Sequence, residues 1–434
     1  MLPAISLATL AMGLFPALSL SAAPAFTDAN WTKLGSGLNN TVLALAVSGT
    51  DVYAGGKFTT AGGSGAGYIA KWNGTNWSAL GSGMDGYVCA LAVSGSNLYA
   101  GGQFANAGGN PASRIARWDG NSWSALGTGM SGYYVKALAV SGTNLYAGGN
   151  FTTAGFSTVH SIAKWNGSSW SALSLGMNNT VYGLLVSGSD LYAGGDFTTA
   201  GTTTMVNSIA KWSASNWAAL GSGMSGTDLN SVYGLAVIGT NLYAGGLFSN
   251  AGGAGTGSIA RWNGTTWAAL GSGVAATNYY PSVNAVAVWG ANLYAGGDFT
   301  RAGGSPANRI ARWDGSGWTP LGSGVNSTVR ALAVSGADLY VGGDFTAAGN
   351  QPASFIARAY LPTLPALSVL GSGSEVTLYW PSTNTAGFHL EQTGTLAVPA
   401  SWVSISTPVM DDGTVAWVTV PCTNSLQFFR LRRP

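Results

Sequence analysis

The chain has 434 residues, 66 of them Gly and 17 Trp, with 7 % charged residues and a net charge of +2. Gly stands at roughly twice its average share and charge far below the usual quarter; little charge with many aromatics excludes a disordered chain, and Gly without a period of three excludes collagen. The only Lys/Arg cluster is Arg430, Arg432 and Arg433, which excludes a nucleic-acid partner held by a basic surface, and two cysteines, Cys89 and Cys422, are too few for a disulfide scaffold.

The first element in chain order is an export signal over residues 1–25. Residues 5–20 are apolar or small, and Ala23-Pro24-Ala25 offers a small-x-small cleavage site. The basic start of such a signal is missing, because Lys33 is the first Lys or Arg. No later stretch is long and apolar enough to span a bilayer. The mature chain is therefore expected outside the cell or at its surface, with no transmembrane span after signal removal.

A repeat follows. The string Leu-Tyr-Ala-Gly-Gly, or a close variant, places its Tyr at 53, 99, 146, 192, 243, 294 and 340, at spacings of 46, 47, 46, 51, 51 and 46. Each unit reads as four short apolar runs, 42–47, 52–58, 69–72 and 77–83 in the first. They are of strand length and rich in Val, Ala, Tyr and Trp. Ser-Gly-x-Asp/Asn joins runs one and two, and Asn/Asp-Gly joins runs three and four; both are hairpin turns. Asn-x-Ser/Thr sites such as Asn73-Gly74-Thr75 are by-products of these turns. No segment keeps a 3.6-residue period, so no substantial helix is expected. Four antiparallel strands in 46 to 51 residues is the size of a propeller blade. The chain opens with a fourth-type run, 31–37, and its seventh repeat ends on a third-type run, 355–360. The opening run is therefore expected to complete the last blade and close the ring.

A Gly-Gly pair after an apolar strand, then an aromatic, then Trp-x-x-Leu resembles the kelch repeat. The aromatic and the Trp are Trp72/Trp77, Trp118/Trp123, Trp165/Trp170, Trp212/Trp217, Trp262/Trp267 and Trp313/Trp318. That family usually carries Tyr at the first of these and a longer link to the second. The resemblance covers residues 31–360 and implies a β-propeller. Trp118-Asp119 and Trp313-Asp314 resemble WD40 repeats, without the Gly-His part of that signature. Kelch-like propellers include copper-dependent galactose oxidase, whose site needs two Tyr, two His and a Tyr cross-linked to Cys. Only His160 and Cys89 fall in the repeats, and His389 lies beyond them. That copper site cannot be carried over, and no cofactor, metal or catalytic residue is assigned.

After the repeats, residues 361–365 read as a linker. Residues 366–434 offer runs at 375–380, 388–392, 402–405, 415–420 and 427–431, the pattern of a small β-sandwich that resembles the fibronectin-III-like tails of secreted bacterial proteins. Asp411-Asp412-Gly413 is a turn, since a calcium loop needs more oxygen ligands at set spacing. The whole reads as all-β: a seven-bladed β-propeller of four-stranded blades over 26–360, its ring closed by an N-terminal strand, plus the C-terminal sandwich.

In a four-strand meander the short Gly turns lie at one end of the sheet. The second-to-third and inter-blade loops lie at the other, and these carry the variation: 225–231, 275–282, 156–161 and 202–208. Binding residues sit on such loops over a rigid scaffold. Within the innermost strand a fixed Val is followed by Leu43, Cys89, Lys136, Tyr182, Tyr233, Asn284 and Arg330. The residue after Gly-Gly is Lys57, Gln103, Asn150, Asp196, Leu247, Asp298 and Asp344. One varied position in a uniform strand is free of packing. These two rings are expected at the channel mouth, with Lys136, Tyr182, Tyr233, Asn284, Arg330, Asp196, Asp298 and Asp344 as candidate ligand-binding residues. The alternative is a solvated rim in which Arg330 merely pairs with Asp344. The basic position of Ile-Ala-Lys/Arg-Trp is filled in all seven repeats and is read as structural, its stems on Trp faces.

The expected function is a non-catalytic binding or adhesion propeller, a monomer that recognises a protein or glycan on its variable face. The alternative is a carbohydrate-active enzyme with its site at the channel mouth. Few Asp, Glu and His, none clustered, favour the first.

Overall fold

A computed structural model describes residues 26–432, apart from 203, 214, 227–229, 362–366, 373–374, 382–388, 395–401, 413–414 and 422–427. The export signal, Cys422 and most of the linker lie outside the described residues. Two compact units result, Phe26–Leu361 and a second within the residues that follow. The described residues are all-β, with one 3-10 turn at Asp28–Asn30 and no α-helix. None contains a helix long and apolar enough to cross a membrane.

The first unit contains seven antiparallel sheets built on one plan. In the first, Val42–Ser48, Asp51–Gly56, Ile69–Trp72 and Trp77–Ala79 pair in that order. The next five begin with Val88–Ser94, Met130–Ser141, Val181–Ser187, Ser231–Ile238 and Ser282–Trp289. The seventh is discontinuous in sequence: Val329–Ser335, Asp338–Gly343 and Ile356–Tyr360 take Trp31–Lys33 as their fourth strand. Trp31 lies opposite Ala359 and Lys33 opposite Ala357. Leu361 packs inside this unit, its N–H donating to Ala337 O at 2.7 Å.

The cores lie between successive sheets. The first holds Val42, Val52, Ala54 and Phe58 together with Tyr340 and Ile356 of the seventh sheet. The next holds Val88, Leu98, Ala100 and Phe104 together with Ile69 of the first. Each repeat therefore finishes its neighbour's core, and the seventh finishes the first's. One Phe per repeat, from Phe58 to Phe345, is 2 % exposed or less. First strands pack on first strands around the unit, and the seventh meets the first. Ala44, Ala90, Ala137, Gly183, Gly234, Ala285 and Ala331, one from each, line a common central channel.

Two uses of Trp tie the sheets together. Within a sheet, Trp72 lies opposite Trp77 with ring centroids 5.5 Å apart, a cross-strand aromatic pair repeated five more times. Between sheets, the second Trp donates its indole N–H to the preceding repeat's Leu carbonyl: Trp77 to Leu34 at 2.9 Å, Trp123 to Leu80 at 2.8 Å, and so on to Trp318 and Leu270. Trp31 makes the same bond to Leu321 at 3.2 Å.

Between the second and third strands the sequence suggests loops, and the structure shows a small hairpin. Thr60–Ala61 pairs with Ser64–Gly65 across Gly62-Gly63, whose φ of 60° and 85° suit a type I′ turn. The fourth-run ends Leu38, Met84, Met177 and Val325 bridge to such hairpins. Asn73 Oδ1 accepts from Thr75 N–H and Asn76 N–H, so the Asn-Gly turns are self-satisfied.

The second unit has two antiparallel sheets. One is Ser368–Ser372, Glu375–Pro381, Val415–Pro421 and Met410–Asp411; the other is Val403–Ser404, His389–Thr393 and Phe428–Arg432. Leu378, Trp380, Val418 and Val420 of the first share a buried cluster with Leu390 and Leu431 of the second. Ser368–Ser372 and Met410–Asp411 are strands that the sequence pattern did not suggest.

Candidate functional site

Every first strand of the first unit contains a β-bulge at the same place. Val42 pairs with Gly56 and Ala44 with Gly55, so Leu43 has no partner. The same break follows Val88, Val135, Val181, Val232, Val283 and Val329. A bulge turns one side chain out of the regular alternation. The seven unpaired residues are Leu43, Cys89, Lys136, Tyr182, Tyr233, Asn284 and Arg330, and all line one cleft of about 540 Å³. The Gly-Gly pair makes this possible. A Cβ on Gly56 would strike the carbonyl oxygen of Thr41, and one on Gly55 would lie 2.5 Å from Val88 Cγ1 in the next sheet.

Six of the eight candidate residues line the cleft: Lys136, Tyr182, Tyr233, Asn284, Arg330 and Asp298. The other two lie against them. Asp196 accepts from Tyr182 Oη at 2.8 Å and from Ser231 Oγ. Asp344 accepts from Arg330 Nε at 2.8 Å and from Thr41 Oγ1 at 2.9 Å. Asp298 accepts from Tyr279 Oη at 3.0 Å and lies 3.8 Å from Arg309 Nε. Asn284 donates to Val329 O of the neighbouring first strand and accepts from Ser282 Oγ, both at 3.0 Å. Tyr182 and Tyr233 meet edge to face, with centroids 5.4 Å apart.

The charge pattern follows from these contacts. All three carboxylates have a hydroxyl or cationic donor. Burial, then the Asp196 carboxylate, pushes the Tyr182 phenol well above its usual range. Burial also raises Tyr233. For Asp344, burial raises the carboxyl, but Arg330, Thr41 and Lys57 together outweigh it and the net shift is downward. Lys136 lies over the Tyr134 ring at 5.0 Å and Lys57 over Tyr87 at 5.5 Å. Cys89 lies near both lysines. Burial pushes its thiol up, against their opposing pull.

Sequence reasoning missed Tyr280, Ser282 and Thr328, which complete the lining with Leu247. Tyr280 is 73 % exposed and sits on the long segment 275–282, whose length was the signal that marked it. The basic row needs a correction. Lys71 lies opposite Tyr53, and its ammonium reaches Asp51 at 3.1 Å; Lys211 reaches Asp190 at 2.9 Å and Arg358 reaches Asp338 at 3.6 Å. Asp51 is two residues from Tyr53 on the same strand face, so the basic side chain meets it diagonally. The two cation–ring contacts seen among the described residues are on tyrosines near the cleft, with none on Trp. His160 is exposed in the third repeat's loop. Among the described residues no three His, Cys, Asp or Glu side chains are grouped to hold a metal.

Residues 292–317, in the sixth repeat, match a family described as "Domain of unknown function (DUF5122) beta-propeller". Solved structures similar to the chain include the computationally designed Ika8 protein, at 17 % identity and a TM-score of 0.46, covering 80 % of this chain and 96 % of that one. The computationally designed Ika4 protein is similar over 41 % of this chain and 92 % of that one, at 18 % identity and a TM-score of 0.28. No curated protein matches the chain. The chain thus carries a β-propeller domain of four-stranded antiparallel sheets.

Proposed function

We propose a seven-bladed, kelch-like β-propeller, exported and displayed outside the cell, that binds a protein or glycan non-catalytically at its channel mouth. The small second unit is read as a fibronectin-III-like sandwich that accompanies it. The observation that carries the binding reading is the state of the carboxylates. Asp196, Asp298 and Asp344 are each engaged by a neighbouring hydroxyl or cation. A general acid or base must be free to reach a substrate proton, and these three act as braces for Tyr182, Tyr279 and Arg330. What remains is aromatic and polar: Lys136 and the exposed Tyr280, with Tyr233 and the internally bonded Asn284 beside them, over a cleft of about 540 Å³, within the range of small-ligand sites.

The test is a glycan-array and pull-down screen with the exported chain, then substitution. Replacing Tyr182, Tyr233 and Arg330 together by Ala is expected to abolish binding of the ligand found, with a cooperative thermal transition retained. Unchanged affinity in the folded triple variant overturns the assignment. Turnover of a bound glycan by the wild type would favour the carbohydrate-active alternative instead.

A further inference from the structure

The two rings of varied residues are not electrically uniform. The acids Asp196, Asp298 and Asp344 belong to the fourth, sixth and seventh repeats, and the lysines Lys57 and Lys136 to the first and third. Five ion pairs are present among the described residues, and neither lysine takes part in one. Each instead rests on a tyrosine face, Lys57 on Tyr87 and Lys136 on Tyr134. They flank Cys89 of the intervening repeat, close enough for both to act on its thiol. Cys89 and Leu43 line the cleft together with Lys136. Lys57 is exposed beside the cleft and lies near the Asp344 carboxylate, whereas Lys136 lines the cleft itself and is in no ion pair. An ammonium so placed is a site for an anion.

The rest of the lining adds a second requirement. Tyr280 is 73 % exposed and offers a free ring to stack on, while Asn284 and Ser282 offer amide and hydroxyl groups beside it. A ring face with hydroxyl-matching polar groups suits a pyranose. A concave volume of about 540 Å³ is also the wrong form for a protein patch, which covers roughly 800 Å² on each partner. We propose that the cleft binds an acidic saccharide, a sugar carrying a carboxylate, with the carboxylate toward Lys136 and the ring toward Tyr280. This rests on the binding reading above and names its ligand class.

The probes are a galacturonate trimer, a neutral galactose trimer and a glutamate trimer, titrated calorimetrically into the full chain at 50 and 300 mM salt. Binding of the galacturonate trimer is expected, at least tenfold tighter than either other probe and weaker at high salt. Lys136→Gln should weaken it at least tenfold with the melting temperature unchanged. Tyr280→Ala should weaken it as well. Equal binding of the neutral trimer, lost in Tyr182→Ala, would overturn the acidic assignment and leave the binding propeller standing. Equal or tighter binding of the glutamate trimer would overturn the saccharide. Failure of the galacturonate trimer to bind, or binding indifferent to Lys136→Gln, would also overturn the proposal.

Discussion

At the residue scale the site depends on one side chain held un-ionised. Tyr182 donates to Asp196 from a half-buried position, and both burial and the carboxylate oppose loss of its proton. An unfolded tyrosine loses its proton near pH 10. The folded one keeps it, so this residue's contribution to stability is complete below about pH 10 and is lost as pH rises beyond it. Thermal melts at pH 9 and pH 11 are expected to show a fall in stability that is smaller in Tyr182→Phe, which has no proton to lose. An equal fall in both proteins would mean that Tyr182 ionises freely. The sequence revealed this residue only as one varied letter after a fixed Val. The cause of the variation is a bulge, which depends on register between two strands and leaves no mark in either strand alone. The Arg330–Asp344 pair was legible in sequence as an alternative. The hydroxyl braces on Asp196 and Asp298 were not: Ser231 stands in its first strand directly before the fixed Val232, where nothing in the sequence marks a partner, and Tyr279 lies on a segment whose path a repeat pattern does not define.

At the element scale the four-run pattern of each repeat reappears as four strands. The hairpin turns were legible because Asn-Gly and Ser-Gly carry their own conformational signal. The second-to-third hairpins were missed because their strands are two residues long, too short for any alternation to register. In sequence the Gly-Gly pair is a landmark of the repeat; in the structure its role is steric. A Cβ on Gly101 would lie 2.5 Å from Val135 Cγ1 of the next sheet, the same contact as between Gly55 and Val88. Gly101→Ala is therefore expected to cost about 1–3 kcal/mol through overpacking. Val135→Ala removes the atom that is struck. The double variant should be more stable than the sum of the two losses predicts, by about 0.5–3 kcal/mol in a double-mutant cycle. Denaturant unfolding of the four proteins measures it, and strict additivity would show that the two sheets are not in the contact described.

At the scale of the whole molecule, stability depends on the ring having no end. Every repeat's Ile and Tyr complete the next repeat's core, and every second Trp bonds backward to the preceding Leu. An open array of such units would leave one apolar face and one strand edge uncovered. Trp31–Lys33 resolves both, since it supplies the seventh sheet's fourth strand and sends an indole N–H to Leu321. Asp28 adds to the closure: its Oδ1 accepts from Ser323 N–H at 2.6 Å and its Oδ2 from Asn350 at 2.9 Å. The joint's indole bond spans 290 residues of sequence, against 43 to 48 for the other six. Two changes separate the strand from its anchor. Trp31→Ala keeps the strand's backbone pairing and should cost about 3–5 kcal/mol, as expected for a buried Trp. Deleting residues 26–36 also exposes the edge of Ile356–Tyr360, and the truncated chain should both melt lower than Trp31→Ala and self-associate with rising concentration in light scattering. Trp170→Ala removes an equivalent indole without touching the joint. It should match Trp31→Ala in stability and remain monomeric. If the truncated chain stays monomeric and melts with the wild type, the strand is an ornament on a ring that closes without it.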